Sequence, residues 1–363
     1  MQIDLEPSLL AGQLIVGGFQ GSTLPASFAG ELAKGRRAGA ILFKRNLPTL
    51  GDASALCHEL SETARRDLPP FIGVDQEGGR VVRLPSPVLA LPPMRELASF
   101  GDLELVQAAA NAVGDELRSI GFNIDFAPVL DVNTEANNPV IGDRAFGSDA
   151  RTVARFGVAF ARGLQQAMVL ACGKHFPGHG DTTADSHLDL PVVRHGRARL
   201  DQVELPPFRA AAGAGIGALM TAHVVYEELD PGVPATLSRA ICASLLRAEL
   251  GFEGVLFSDD LEMKAIAARW TVERAAVDAV WAGCDALLIC SDEAMQARAH
   301  EALLHEIETS TRFRERCVEA VERSLRVRRL VPPNPVAELR HIVDGEKSRA
   351  VMQRIAQKRG TSA

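Results

Sequence analysis

Aromatic side chains are scarce in this chain, at 5% of 363 residues with two Trp and one Tyr. That is too few to line a long stacking groove, so any ligand site is expected to be a small pocket. No uncharged apolar run approaches the ~18 residues of a membrane-spanning helix. The start, Met1-Gln2-Ile3-Asp4-Leu5-Glu6, has neither the basic beginning nor the apolar centre of a secretory leader. A basic excess is missing as well. The 39 Lys and Arg against 46 Asp and Glu give a net charge of −7, which argues against a nucleic-acid surface. The cysteines Cys57, Cys172, Cys242, Cys284, Cys290 and Cys317 form no Cys-x-x-Cys pair and lie mostly in apolar segments. They read as reduced core thiols of a cytoplasmic protein. Cys284 and Cys290 could ligate a metal, but burial as small apolar groups is the simpler reading.

What is present is core material, 47% apolar against 23% charged. Short apolar runs recur at 14–16, 40–43, 71–74, 124–127, 169–172, 218–221, 254–257 and 286–289. Being apolar on both faces, they suit parallel strands covered by helices. Amphipathic segments at 51–65, 103–119, 150–166, 201–213, 238–249, 271–282 and 294–308 alternate with them. Eight strands in that alternation predict a single α/β domain, a (β/α)8 TIM-type barrel, with a doubly wound open sheet as the rival. Only helical material follows, at 313–330 and 337–357. The expected organisation is therefore a catalytic barrel over 1–310 and a helical C-terminal extension over 311–363.

The polar groups fall where barrel chemistry sits, at the C-terminal ends of the strands. The third run leads into Asp75-Gln76-Glu77-Gly78-Gly79-Arg80 and Arg83. The fourth leads into Asp131 and on to Asp143-Arg144. The fifth leads into Lys174-His175-Phe176-Pro177-Gly178-His179-Gly180-Asp181-Thr182-Thr183-Ala184-Asp185-Ser186-His187, the densest cluster in the chain. The sixth reaches His223 and the seventh Ser258-Asp259-Asp260. Asp75 with Arg83 suits a clamp on vicinal hydroxyls, and Lys174-His175 leaving a buried strand suits a polar ligand. Arg144 could instead pair with Asp143 or Asp149, His223 could be a core histidine, and His179 could be a plain loop residue. Because strand side chains alternate, Asp259 and Asp260 should not share one pocket. Asp259 is then the reactive group and Asp260 the cap of the next helix.

Two chemistries compete for the fifth-run cluster. The residues His175, His179, Asp181, Asp185 and His187 could hold zinc or manganese, giving a metal-dependent barrel hydrolase. Their spacing matches no established ligand motif. In the second reading Asp185 orients His187, which gives and takes a proton, while Asp259 attacks as a carboxylate nucleophile. No metal or other cofactor is then needed, and Pro177 to Gly180 would let the loop close over substrate.

The stretches GVDQEGGRVVR (73–83), IDFAPVLDV (124–132), IGDRAFG (141–147), GKHFPGHGDTTADSH (173–187) and GVLFSDDLEM (254–263) together resemble glycoside hydrolase family 3, in particular its NagZ-type β-N-acetylglucosaminidases (β-hexosaminidases). The resemblance implies Asp259 as nucleophile and His187, backed by Asp185, as acid/base. It implies Asp75, Arg83, Arg144, Lys174 and His175 as contacts to N-acetylglucosamine, with His223 a further candidate. It also implies a retaining exo-enzyme acting on peptidoglycan (muropeptide) fragments in cell-wall recycling. The expected partner is this small carbohydrate, met by a cytoplasmic monomer with no nucleic acid or membrane involved. Whether water or phosphate accepts the glycosyl group stays open.

Overall fold

Eight short parallel strands close into a barrel, as the repeating apolar runs require. In the computed structural model, which describes residues 5–182, 189–334, 339, 342 and 345–361, the strands are β1 (Ile15–Gly17), β2 (Gly39–Leu42), β3 (Phe71–Val74), β4 (Ile124–Asp125), β5 (Leu170–Phe176), β6 (Val192–Val193), β7 (Ala218–Thr221), β8 (Val225–Tyr226), β9 (Val255–Asp260) and β10 (Ala286–Ile289). The closed order is β1-β10-β9-β7-β5-β4-β3-β2, and β6 pairs with β8 in a separate small sheet. The rival open sheet is thereby excluded. β4 is shorter than its run predicts, and the chain rejoins the barrel through a bridge between Val129 and Lys174.

Period-two alternation sorts the strand residues. Val16, Ile41, Phe71, Phe126, Cys172, Met220, Val255, Phe257 and Leu288 fill the interior. Their neighbours Ile15, Leu42, Ile72, Ala171, Leu219, Leu256 and Leu287 pack under the helices. Phe257 meets Phe71 and Phe126 edge-on at 5.2 and 5.4 Å. Every residue of the eight barrel strands is buried except Asp259 and Asp260. The barrel is a packed core that opens only at that end.

Helix starts follow the capping residues. Thr49, Asp102 and Asp149 accept N–H groups of the first turns of Leu50–Thr63, Leu103–Ile120 and Ala150–Gln166. The segment expected as one helix over 201–213 is two, Arg197–Gln202 and Leu205–Gly213. Pro206 and Pro207 lack the N–H groups that would continue the first helix, but they fit the first turn of a new one. The Ala240–Glu249 segment winds as a π-helix. After the last barrel helix, Glu293–Thr309, the helix Thr311–Leu330 puts Phe313, Cys317, Val321 and Leu325 into the barrel's own core. The final helix, Glu346–Thr361, lies against Leu103–Ile120, where Ser348 Oγ donates to Glu116 Oε1 (2.5 Å).

Candidate active site

The strands deliver their polar ends to one cavity of about 400 Å³, lined among others by Asp75, Glu77, Arg83, Arg144, Lys174, His175, His179, Asp259 and Asp260. Six of the nine sequence-predicted site residues are thus brought together: Asp75, Arg83, Arg144, Lys174, His175 and Asp259. Asp185 and His187 lie outside the described residues. His223 departs from expectation. It is fully buried, with Nδ1 on Thr236 Oγ1 (2.7 Å) and Nε2 donating to the Asp260 carbonyl (2.9 Å). It supports the end of β9 from behind and is not among the residues lining the cavity.

Two strands break the alternation at their ends, and that is how adjacent residues share the cavity. Between Gly173 and Phe176, β5 slips by one residue against β7; between Phe257 and Asp260, β9 slips by one against β10. An extra residue in a strand re-aims the side chains around it. Lys174 and His175 therefore both face the cavity, and so do Asp259 and Asp260. This corrects the expectation that only one aspartate could do so. Asp260 caps no helix either: the next one starts at Lys264, and Asp260 Oδ1 accepts the N–H groups of Glu262 (3.1 Å) and Cys290 (3.2 Å).

Across the cavity floor runs a chain of alternating charge. Arg83 Nη2 lies 3.7 Å from Asp75 Oδ2, and Lys174 Nζ lies 2.8 Å from Asp75 Oδ1 and 2.6 Å from Glu77 Oε1. Glu77 in turn takes Nε and Nη2 of Arg144, both at 2.8 Å. Arg144 is thereby paired with neither Asp143 nor Asp149. Burial pushes the Glu77 carboxyl up, but Arg144 and Lys174 outweigh it and hold it well below the ordinary value. Burial likewise lowers Lys174, but Asp75 and Glu77 carry it above the usual lysine value. Glu77, Lys174 and Arg144 stay ionised because their neighbours compensate their lost hydration. The turn that returns Arg83 over Asp75 is built by Gly78 and Gly79 at φ +101° and +55°, a conformation side chains disfavour. Gln76 braces it, accepting the N–H groups of Arg83 (2.9 Å) and Leu84 (3.3 Å). One donor is left over: Arg83 Nε is buried and has no hydrogen-bond partner among the described residues.

A second network holds the histidines. Asp131, fully buried, takes His175 Nδ1–H (2.7 Å) on one oxygen and the His179 N–H (2.6 Å) on the other. Burial raises the Asp131 carboxyl, but His175 and His179 outweigh it and hold it low. A carboxylate there fixes the proton on His175 Nδ1 and orients the ring. His179, which the sequence offered as a metal ligand or a plain loop residue, lines the cavity; burial and His175 push it down to about 4, so it is neutral at physiological pH. The Pro177–Gly180 stretch is buried and fastened, since Tyr226 Oη donates to the Gly178 carbonyl and Asn138 Nδ2 to that of His179 (2.8 Å). It is part of the wall, contrary to the loose hinge that its glycines suggest.

Asp259 terminates the inward-facing series Val255, Phe257, Asp259. Burial pushes its carboxyl up, but His223, His175, the Asp260 N–H and Lys174 together hold it below the ordinary value. Asp260 is the opposite case, raised by burial and by Glu262 and Asp259 to about 7. The pair thus separates into one ionised carboxylate and one that keeps its proton up to neutrality. Asp125, fully buried, is raised by burial to about 8; its Oδ1 accepts the Gln76 N–H (2.9 Å) and its Oδ2 has no partner among the described residues.

Glu77 and Asp131 are cavity-network residues that the sequence reading gave no role, and His179 is one that it offered only as a metal ligand or a loop residue. Glu77 stands two positions beyond Asp75 in the same turn, and Asp131 ends the apolar stretch 126–130, so position alone was their signal. Among the described residues, no group of three or more His, Cys, Asp or Glu side chains is arranged to hold a metal.

An ionised aspartate at the end of a barrel strand, facing buried cations and carboxylates, defines a glycoside hydrolase-like site. Residues 12–327 match the glycosyl hydrolase family 3 N-terminal domain. The chain belongs to glycoside hydrolase family 3 and groups with its β-hexosaminidases. It is 44% identical over 262 residues to a β-hexosaminidase of Thiobacillus denitrificans, covering 70% of this chain and 71% of the relative. Among solved structures, a family 3 β-N-acetylglucosaminidase from Paenibacillus sp. superposes with a TM-score of 0.91 at 39% identity, covering 98% of this chain and 69% of that one. NagZ from Neisseria gonorrhoeae, in complex with N-trifluoroacetyl-D-glucosamine, superposes with a TM-score of 0.70 at 30% identity, covering 86% and 98%. No helix among the described residues is long and apolar enough to cross a membrane.

Proposed function

We propose that this chain is a retaining exo-β-N-acetylglucosaminidase that removes the non-reducing terminal N-acetylglucosamine from muropeptide fragments. The observation that carries the reading is Asp259: an ionised carboxylate at the mouth of a packed barrel, facing a cavity sized for a single sugar. Asp259 attacks the anomeric carbon, and the bond to the aglycone oxygen breaks as His187 gives that oxygen its proton. His187, oriented by Asp185, then takes a proton from the incoming water, which displaces Asp259 and releases the sugar. Asp75 offers acceptors, and Lys174, Arg83 and Arg144 donors, to the sugar's hydroxyl and acetamido groups. The unpartnered Arg83 Nε gains an acceptor on binding, which supports its place in the sugar site. The β-hexosaminidase relatives and the small cavity support a single terminal N-acetylhexosamine as the group removed, and the muropeptide fragment as its source is the finer part of this proposal.

Hydrolysis of 4-nitrophenyl β-N-acetylglucosaminide, followed by proton NMR, tests the mechanism. The β-anomer should form first. Initial formation of the α-anomer, or no turnover, would overturn it. The metal-dependent alternative is separated by excess EDTA, under which full activity is expected. Comparing a muropeptide disaccharide with chitobiose tests the aglycone, with the muropeptide the better substrate.

A further inference from the structure

Asp181 and His195 lie on either side of the segment that carries Asp185 and His187, and their side chains are hydrogen-bonded to each other through Asp181 Oδ2 and His195 Nε2. The two stems of that segment are fastened to different neighbours. The incoming stem is held by the loop after β4. Asp131 and Asn138 bind the His179 backbone, and the Glu135 N–H donates to the Gly180 carbonyl (3.2 Å). The approach is so close that a Cβ on Gly180 would stand 1.9 Å from the Val132 carbonyl oxygen. The returning stem pairs, through Val192–Val193, with Val225–Tyr226 beyond β7. The Asp181–His195 bond ties the stems to each other. Thr134 Oγ1 donates to the free Asp181 oxygen (2.5 Å), and Arg199 stands 3.6 Å from it while reaching Thr134 (3.3 Å) and Glu204 (3.2 Å). Neither Asp181 nor His195 is among the residues lining the cavity.

We infer that Asp181 and His195 are a positioning pair for the proton-transferring unit. They touch no substrate; by tying together the two stems of the segment between them they act on the reaction through the acid that this segment carries, His187. Proton transfer depends on placement to a few tenths of an ångström, so a loosened base acts through the acid and leaves the nucleophile untouched. The inference rests on the assignment of His187 as acid/base.

The test uses His195→Ala, His187→Ala and the double variant on two substrates. One is a disaccharide, whose leaving group needs a proton; the other is dinitrophenyl β-N-acetylglucosaminide, whose leaving group does not. His195→Ala should lower kcat roughly 10- to 100-fold on the disaccharide and less than about 3-fold on the aryl glycoside, with KM nearly unchanged. In the His187→Ala background the same substitution should cost less than about 2-fold, since residues acting through one group are non-additive. His195→Gln, which keeps an N–H for Asp181, should recover most of the loss and melt as the parent does. Equal losses on both substrates, or an undiminished loss in the His187→Ala background, would overturn the positioning role. A His187→Ala enzyme with full disaccharide activity would overturn the acid assignment instead, and that single variant reports it without reference to His195.

Discussion

Both ends of this barrel carry dense buried charge, yet they are built to opposite purposes. At the N-terminal end Asp285, fully buried, takes Arg247 (2.5 Å), Arg316 (2.7 Å) and Arg323 (2.7 Å). The arginines spend other donors on backbone carbonyls, Arg247 on Phe252 and Gly254, Arg316 on Gly283 and Cys284. Arg328, wholly buried and ion-paired with no carboxylate among the described residues, donates to the carbonyls of Ala38 and Pro69 and to Gln13 Oε1, over the ring of Phe71. Burial pushes it down to about 9. These groups bind strand starts to the helix Thr311–Leu330. At the C-terminal end the charges also compensate one another, but they face a cavity and leave Arg83 Nε, Asp259 and the Asp75 oxygen nearest Arg83 available to a ligand. Burial and charge alone do not mark a site, and neither does an unpartnered atom, since Arg328 Nε is buried without a partner among the described residues as well. Charged groups that face a cavity do.

The sharpest way to break that contrast is at Asp259. Asp259→Ala should reduce turnover by about 10⁴-fold or more while the variant still binds N-acetylglucosamine, because the chemistry is lost and the charge chain stays intact. Near-normal activity on an aryl glycoside would remove Asp259 as nucleophile. Lys174→Met comes next. It leaves Asp75 and Glu77 facing each other without the cation between them, so kcat/KM should fall roughly 10²- to 10³-fold and stability by about 3–5 kcal/mol. Steady-state kinetics and chemical denaturation read the two losses separately, and a change in one alone would show that the chain of charges is not a single unit.

The covered parallel sheet was legible because its strands are apolar on both faces, and their number, eight, pointed to a barrel; closure itself is seen only in the strand order. The rim was legible because five successive runs end in ionisable residues. What periodicity could not show is where alternation fails. The one-residue slips in β5 and β9 depend on pairing between strands distant in sequence, and they put Asp260 and His175 in the cavity against the two-residue rule. Glu77 and Asp131 were hidden for a related reason: their partners, Arg144 and His175, come from other strands. His223 looked like a rim residue because it follows a strand end, but the chain there turns inward under β9 and occupies both ring nitrogens. The glycines around His179 suggested looseness, whereas Gly180 is there to let two backbones touch.

At the opposite end of the barrel the prediction inverts. Asp285→Asn removes the carboxylate shared by three arginines and should cost about 3–5 kcal/mol in chemical denaturation, with kcat/KM within about 2-fold of the parent at 25 °C. A large loss of activity without loss of stability would mean that the lower cluster is coupled to the site and that the contrast drawn between the two ends is false.

The finest distinction concerns Asp125, which lies under the charge chain but faces no cavity. Folded Asp125 keeps its proton up to about pH 8, whereas the unfolded group loses it near 3.8. Between those values the folded state binds the extra proton, so stability falls as pH rises, by up to about 1.4 kcal/mol per pH unit for one such group. Asp260, raised to about 7, acts in the same sense but has finished titrating by then. Asp125→Asn keeps an oxygen for the Gln76 N–H and removes the titration. Denaturation at closely spaced pH values should therefore show, between pH 4 and 7, a slope less negative than the parent's by up to about 1.4 kcal/mol per pH unit, with a smaller difference between 7 and 8; the opposite contribution of His179, lowered to about 4, is common to both proteins. An unchanged slope in that last interval would mean that Asp125 is already ionised in the folded protein, which its unpartnered Oδ2 makes unfavourable, and that the charge chain above it extends one carboxylate deeper than its geometry indicates.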